Sequence, residues 1–170
     1  MRSLEATRAC AVVALFVGMS AQSLPAQTLV THRIPAALAL EAVGEAVASC
    51  AKQGYRVSST IINPDGVRIA TLHGDGSGLH TSDAAYAKAY AAVSFAAPVA
   101  GLETSGQLGE KYQQQPNFQP PAGMLFRAGG VVIKRGDEVI GAIGVGGAPG
   151  AANDEACAKA GIGKIRDRIK

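Results

Sequence analysis

Residues 73–90, HGDGSGLHTSDAAYAKAY, gather most of the side chains in this sequence that could do chemistry. His73 and His80 flank a glycine loop. Tyr86 and Tyr90 are four apart, one helical turn, and therefore share a face. Imidazole and phenol can both ligate iron. Each also has an ordinary role, as a surface loop residue or as a core ring with its hydroxyl satisfied. Lys88 is the one internal charge of an otherwise apolar helix. It is five residues from Asp83, which is not the spacing of an ion pair along one helix face. Lys88 must then reach the sheet, a neighbouring subunit or an anionic ligand, and a structural role is the simpler reading. Farther on, Tyr112 and Phe118 lie in a Pro-rich segment that could close over a ligand or be a plain exposed loop.

What is missing narrows the chemistry. There is no Ser-His-Asp signature, no HExxH and no local pair of carboxylates, which disfavours an enzyme, although a triad assembled in space would leave no such trace. Residues 146–150, GGAPG, precede a helix and could cradle a phosphate. The Lys-Ser/Thr of a P-loop is absent, and no GxGxxG spacing fits, so a structural turn is the better account.

The elements that position these residues follow from pattern. Pro35 suits the first turn of a helix that runs to Lys52, with Gly54 beyond its end. Residues 56–62 and 67–73 read as two strands around the turn Asn63-Pro64-Asp65-Gly66. Thr81 or Ser82 can cap a long helix over residues 83–96, apolar nearly all round and hence buried between a sheet and something else. A short helical turn fits within 99–108. Residues 110–122 read as an exposed Pro-rich flap, and 124–127 as a short strand. A strand pair follows over 129–145, and then a last helix that Asn153 or Asp154 can cap. Gly141 and Gly144 are three apart and so face opposite sides of that last strand. Each implies close approach to the backbone, by a packed helix or a neighbouring subunit more often than by a ligand. Hairpins dominate, so the fold is expected to be α+β: one domain, with a mainly antiparallel sheet covered by helices. The all-round apolar helix and the glycine-rich strand together point to a homo-oligomer.

The chain has 170 residues, no Trp and a formal charge of +3, and its basic residues are scattered apart from the last helix. That pattern carries no footprint for nucleic acid. Residues 1–26 show a charged start, an apolar run over 9–19 and then small residues. This is the pattern of a secretory signal cleaved after Ala26, or alternatively between Ala21 and Ser23. The apolar run is short of the ~20 residues needed to span a bilayer, so no membrane anchor is expected after cleavage. Removing Arg2, Arg8 and Glu5 from the 16 basic and 13 acidic residues leaves 14 and 12. The mature domain, residues 27–170, would be periplasmic or secreted. It keeps Cys50 and Cys157, which can pair if the first and last helices lie side by side. Two buried thiols are the alternative, because spacing in sequence does not fix spacing in space.

From Ala37 to Ile165 the order of these pieces resembles the GlcG/HbpS family, a haem-degrading-domain-like family. The resemblance is carried by the first helix ending at Gly54, the Asn63–Gly66 turn and the helix from Ser82-Asp83 to Lys88-Ala89. The hairpin of Gly129–Ile133 and Gly136–Val145 adds to it, as does Gly147-Ala148-Pro149-Gly150 followed by Asp154-Glu155-Ala156-Cys157. It implies an oligomeric α+β protein. For the function it implies an extracytoplasmic haem-binding protein. The alternatives are a small haem-degrading or organic-acid-related enzyme, or an accessory subunit without a ligand. On that reading haem is the cofactor, with His80 the expected iron ligand. His73, Tyr86, Lys88 and Tyr90 are the other candidate contacts. The chain departs from many relatives in having Phe95-Ala96-Ala97 before Pro98, where they carry a basic residue.

Overall fold

Turn chemistry sets the first hairpin. Asn63 Oδ1 accepts hydrogen bonds from the N–H groups of Asp65 and Val67 at 3.0 and 2.9 Å, and Gly66 takes a φ of 80°. This turn joins β1 (Ser58–Ile62) to β2 (Arg68–His73). A second hairpin joins β3 (Gly130–Arg135) to β4 (Glu138–Gly146). β1 and β4 pair antiparallel, which gives one four-stranded antiparallel sheet of order β2-β1-β4-β3. The computed structural model of the chain describes residues 30–169 apart from 98, 100 and 113. The signal proposed for residues 1–26 lies outside these, as does Pro98.

Helices cover both faces of the sheet. α1 (Ala36–Ala51) and α4 (Ala151–Ile165) pack side by side on one face. α2 (Thr81–Ala96) covers the other, with α3 (Ser105–Tyr112) beyond it. A 3-10 turn at Arg166–Arg168 follows α4. This is the single-domain α+β arrangement that the alternation of hairpins and helices predicts. β1 is buried on both faces, so its residues divide between two cores: Ile61 joins Val43, Ile143 and Ile165 under α1 and α4, and Ile62 joins Ala89, Ala92 and Val132 under α2.

A third cluster explains why α2 is apolar around its circumference. Ala91 and Phe95 face Leu102, Leu108 and Phe126, outside the sheet. Tyr112 and Phe118 stack with centroids 5.1 Å apart and pack on Phe126. The Pro-rich segment is exposed over most of its described length, as expected, and its rings fasten it onto the outside of α2. The glycines of β4 have a similar internal explanation. A Cβ on Gly144 would sit 1.9 Å from the Ala85 carbonyl oxygen, and one on Gly141 would sit 2.3 Å from that of Ile62. The backbone that approaches Gly144 is that of α2 in the same chain. Both features that suggested an oligomer are therefore satisfied within one copy.

Other expectations change at the local level. Cys50 and Cys157 form a disulfide with a Cα separation of 5.6 Å, because α1 and α4 are neighbours. Residues 124–127 form no strand; there the Leu125 N–H donates to Ala87 O on α2 at 3.2 Å. The short helix of this region is α3, which starts at Ser105, later than the sequence suggests. Neither Thr81 nor Ser82 caps α2, and neither Asn153 nor Asp154 caps α4. Each of these side chains is engaged elsewhere: Thr81 Oγ1 donates to Gly78 O at 2.7 Å, and Asn153 Nδ2 donates to Pro149 O at 2.6 Å.

Candidate functional site

The glycine loop between β2 and α2 carries a histidine at each end, and their surroundings differ. His73 Nδ1 lies 2.9 Å from Ser58 Oγ and 3.0 Å from Ser82 Oγ, while its Nε2 lies 2.9 Å from Ser77 Oγ. Ser58 Oγ in turn lies 2.7 Å from Thr81 Oγ1. Four hydroxyls thus tie the end of β2 to β1, to the loop and to the first turn of α2. His80, just before α2, is exposed, and among the described residues nothing hydrogen-bonds its ring.

Tyr86 and Tyr90 lie on a different side of α2. Their rings stack at 5.7 Å, nearly parallel, and pack with Ile62, Val132 and Val139. The Tyr86 hydroxyl donates to Gly66 O at 3.1 Å, and the Arg68 guanidinium lies 3.8 Å above its ring. This pair fastens α2 to the β1–β2 turn.

Lys88 takes its place from the opposite side of the helix. Its Nζ donates to Asp154 Oδ2 at 2.6 Å and to Val145 O at 3.1 Å, with both side chains almost fully buried. The other Asp154 oxygen accepts the Ala148 N–H at 3.0 Å. A buried charge is tolerable when paired and hydrogen-bonded in this way. The pair pins α2, β4 and α4 at one point. The same point requires glycine next to it: a Cβ on Gly130 would sit 2.1 Å from Lys88 O, and one on Gly129 would sit 2.9 Å from Lys88 Nζ.

Above this pair opens a cleft of about 370 Å³, lined by His80, Ala84, Lys88, Leu125, Arg127, Asp154 and residues 146–148, 150 and 151. Ala84 and Lys88, one turn apart on α2, face the cleft together with His80, which immediately precedes the helix. Of the five residues singled out from the sequence, the structure brings His80 and Lys88 together here; it places His73 in the hydroxyl network and the two tyrosines against the hairpin. Asp154 and Arg127 escaped the sequence reading as members of this site. In sequence Asp154 suits a helix cap, and its partner is 66 positions away; Arg127 falls in a stretch with the pattern of a strand. The cleft can offer an imidazole, a guanidinium and an apolar wall to a ligand with the matching groups. Among the described residues no group of three or more His, Cys, Asp or Glu is placed to hold a bare metal ion.

A family model described as "Haem degrading protein HbpS-like" matches residues 34–163. The chain is similar to the crystal structure of HbpS at 30% identity and a TM-score of 0.73, over 81% of this chain and 93% of that one. It is also similar to a double mutant of Streptomyces reticuli HbpS at 30% identity and a TM-score of 0.68, over 92% and 97%. A PduOC:heme complex, at 19% identity and a TM-score of 0.67 over 79% and 96%, shares the fold. No curated protein matches the chain.

Proposed function

The chain belongs to the HbpS-like haem-degrading family, and on that premise we propose that it is an extracytoplasmic haem-binding protein with His80 as the iron ligand. The observation that carries this reading is the free imidazole. A ring nitrogen that already holds a partner must release it before it can ligate a metal. His73 is engaged at both ring nitrogens, and His32, whose Nδ1 lies 2.6 Å from Glu138 Oε2, does not line the cleft. His80 alone of the three histidines has its ring unengaged among the described residues.

The residues present fit a haem. A bound haem supplies an iron with axial positions and two propionates on an otherwise apolar ring. His80 offers a ring nitrogen at the rim of the cleft. Ala84, Leu125 and Ala148 offer apolar surface, and residues 146 and 147 bring backbone without side chains to the wall. The Lys88–Asp154 pair holds the floor in place. Tyr86 and Tyr90 support the helix that carries His80; the hydroxyl of Tyr86 is already used.

Two features support the extracytoplasmic part of the proposal: the signal-like pattern of residues 1–26 and the Cys50–Cys157 disulfide, a bond that persists in oxidising compartments. Self-association also belongs to the proposal. It rests on β2, a sheet edge that exposes Leu72, with Val67 exposed just before it. The β3 edge is partly covered, since the Val132 N–H donates to Glu103 O at 2.8 Å.

Titrating haemin into the purified protein tests the proposal. A saturable shift of the Soret band is expected, and it should persist when a reductant is added under air if the protein binds haem without consuming it. Loss of the band with release of iron would make it an enzyme. A spectrum equal to that of haemin in buffer at every ratio would remove haem from the account.

A further inference from the structure

Arg127 shares the cleft with His80, and the fold fixes where it sits. Its own N–H donates to Leu125 O at 3.0 Å, and its carbonyl accepts from Ser105 Oγ at 2.6 Å. Ser105 is fully buried, and its Oγ also accepts the Gly130 N–H at 2.9 Å. Two residues before Arg127, the Leu125 N–H is anchored to Ala87 O on α2. Two and three residues after it, Gly129 and Gly130 lie so close to Lys88 that no Cβ would fit. The backbone carrying Arg127 is therefore clamped on both sides to the same helix that carries His80.

The charge of Arg127 is left open. Among the described residues no carboxylate lies within 4.0 Å of its guanidinium, and the carboxylate that lines the cleft, Asp154, is held by Lys88. With the Lys88–Asp154 pair self-neutralised, the cleft keeps one uncompensated positive charge. The first turn of α4, at Ala151 on the same wall, has no side-chain cap and adds a field of the same sign. A planar guanidinium is the group best shaped for bidentate binding of a carboxylate.

We infer that Arg127 forms a carboxylate subsite of the His80 cleft, which selects ligands carrying an acidic arm. The inference rests on the haem reading, in which that arm is a propionate.

The test compares haemin with its dimethyl ester, in which both propionates are blocked, by spectral titration of the purified protein. Wild type should bind haemin at least about tenfold more tightly than the diester, the size of one charge-assisted contact. Arg127→Gln should bring the two affinities together with the Soret position unchanged, since His80 is untouched. Arg127→Lys should retain part of the preference. The Arg127 side chain is exposed, so circular dichroism should find both variants folded. An unchanged preference in Arg127→Gln, with normal haemin binding, would overturn the subsite and leave the haem proposal standing. A wild type that binds neither porphyrin would overturn both.

Discussion

His73 and His80 close the two ends of one glycine loop, and the fold uses them in opposite ways. His73 is surrounded by hydroxyls from three elements and serves as a fastener. His80 faces a cleft, and among the described residues nothing is bonded to its ring. The residue type is the same and so is the loop. What separates them is prior commitment: a group that the fold already uses has little left to offer a ligand. The tyrosines divide from the lysine along the same line, since Tyr86 and Tyr90 fasten α2 to the hairpin while Lys88 builds the cleft floor.

Several substitutions can sharpen or break this contrast. The largest effect is expected from Lys88→Met, which leaves the Asp154 carboxylate buried without its cation. The loss should be about 3–5 kcal/mol in chemical denaturation, with much of it recovered in the Lys88→Met/Asp154→Leu double variant. A loss below about 1 kcal/mol would mean that the floor is not the rigid support described here.

Replacing Cys50 and Cys157 together by alanine should cost about 2–4 kcal/mol, because the bond closes a long loop of chain. The disulfide joins α1 to α4, on the sheet face opposite α2. Haemin titration of the double variant should therefore match wild type. A lost or displaced Soret band would tie the cleft to the far face.

A smaller effect is expected at His73. His73→Ala removes one partner from a hydroxyl network whose members retain others, since Ser58 still reaches Thr81. The cost should be about 1 kcal/mol by thermal or chemical unfolding. His80→Ala removes nothing from the network and should leave stability within about 0.5 kcal/mol. Equal losses in the two variants would erase the distinction between fastener and free ligand.

The smallest effect concerns pH, through the third histidine. Glu138 accepts the His32 N–H at 2.8 Å and lies against the His32 ring, and these bonds hold its carboxyl below the usual range. A carboxyl with a depressed folded pKa stabilises above the unfolded value and loses that contribution as pH falls through the folded one. The small stability difference between wild type and Glu138→Gln at about pH 6 should therefore shrink in more acidic buffer. A difference that grows on acidification would contradict that sign.

The sequence made the architecture legible because its signals are local. Asn63 to Gly66 spell a turn, and the apolar circumference of α2 announces burial on two sides. The site was only half legible. His80 and Lys88 could be named because each stands out locally, an imidazole at the end of a glycine loop and the one internal charge of an apolar helix. Asp154 could not be assigned to Lys88, because the pairing depends on how α2 and α4 cross the sheet. The caps failed for a related reason: Thr81, Ser82, Asn153 and Asp154 are all suitable residue types, but partners elsewhere in the fold use their polar groups differently. Cys50 and Cys157 left two readings open until α1 and α4 were seen to be neighbours.

The central claim is that a free imidazole, and not merely a nearby one, makes the ligand site. Its most direct measurement is the Soret band of ferric haem titrated into wild type, His73→Ala and His80→Ala under identical conditions. The account predicts that His73→Ala reproduces the wild-type band and that His80→Ala loses or displaces it. A wild-type band in His80→Ala, with the change appearing in His73→Ala, would contradict it.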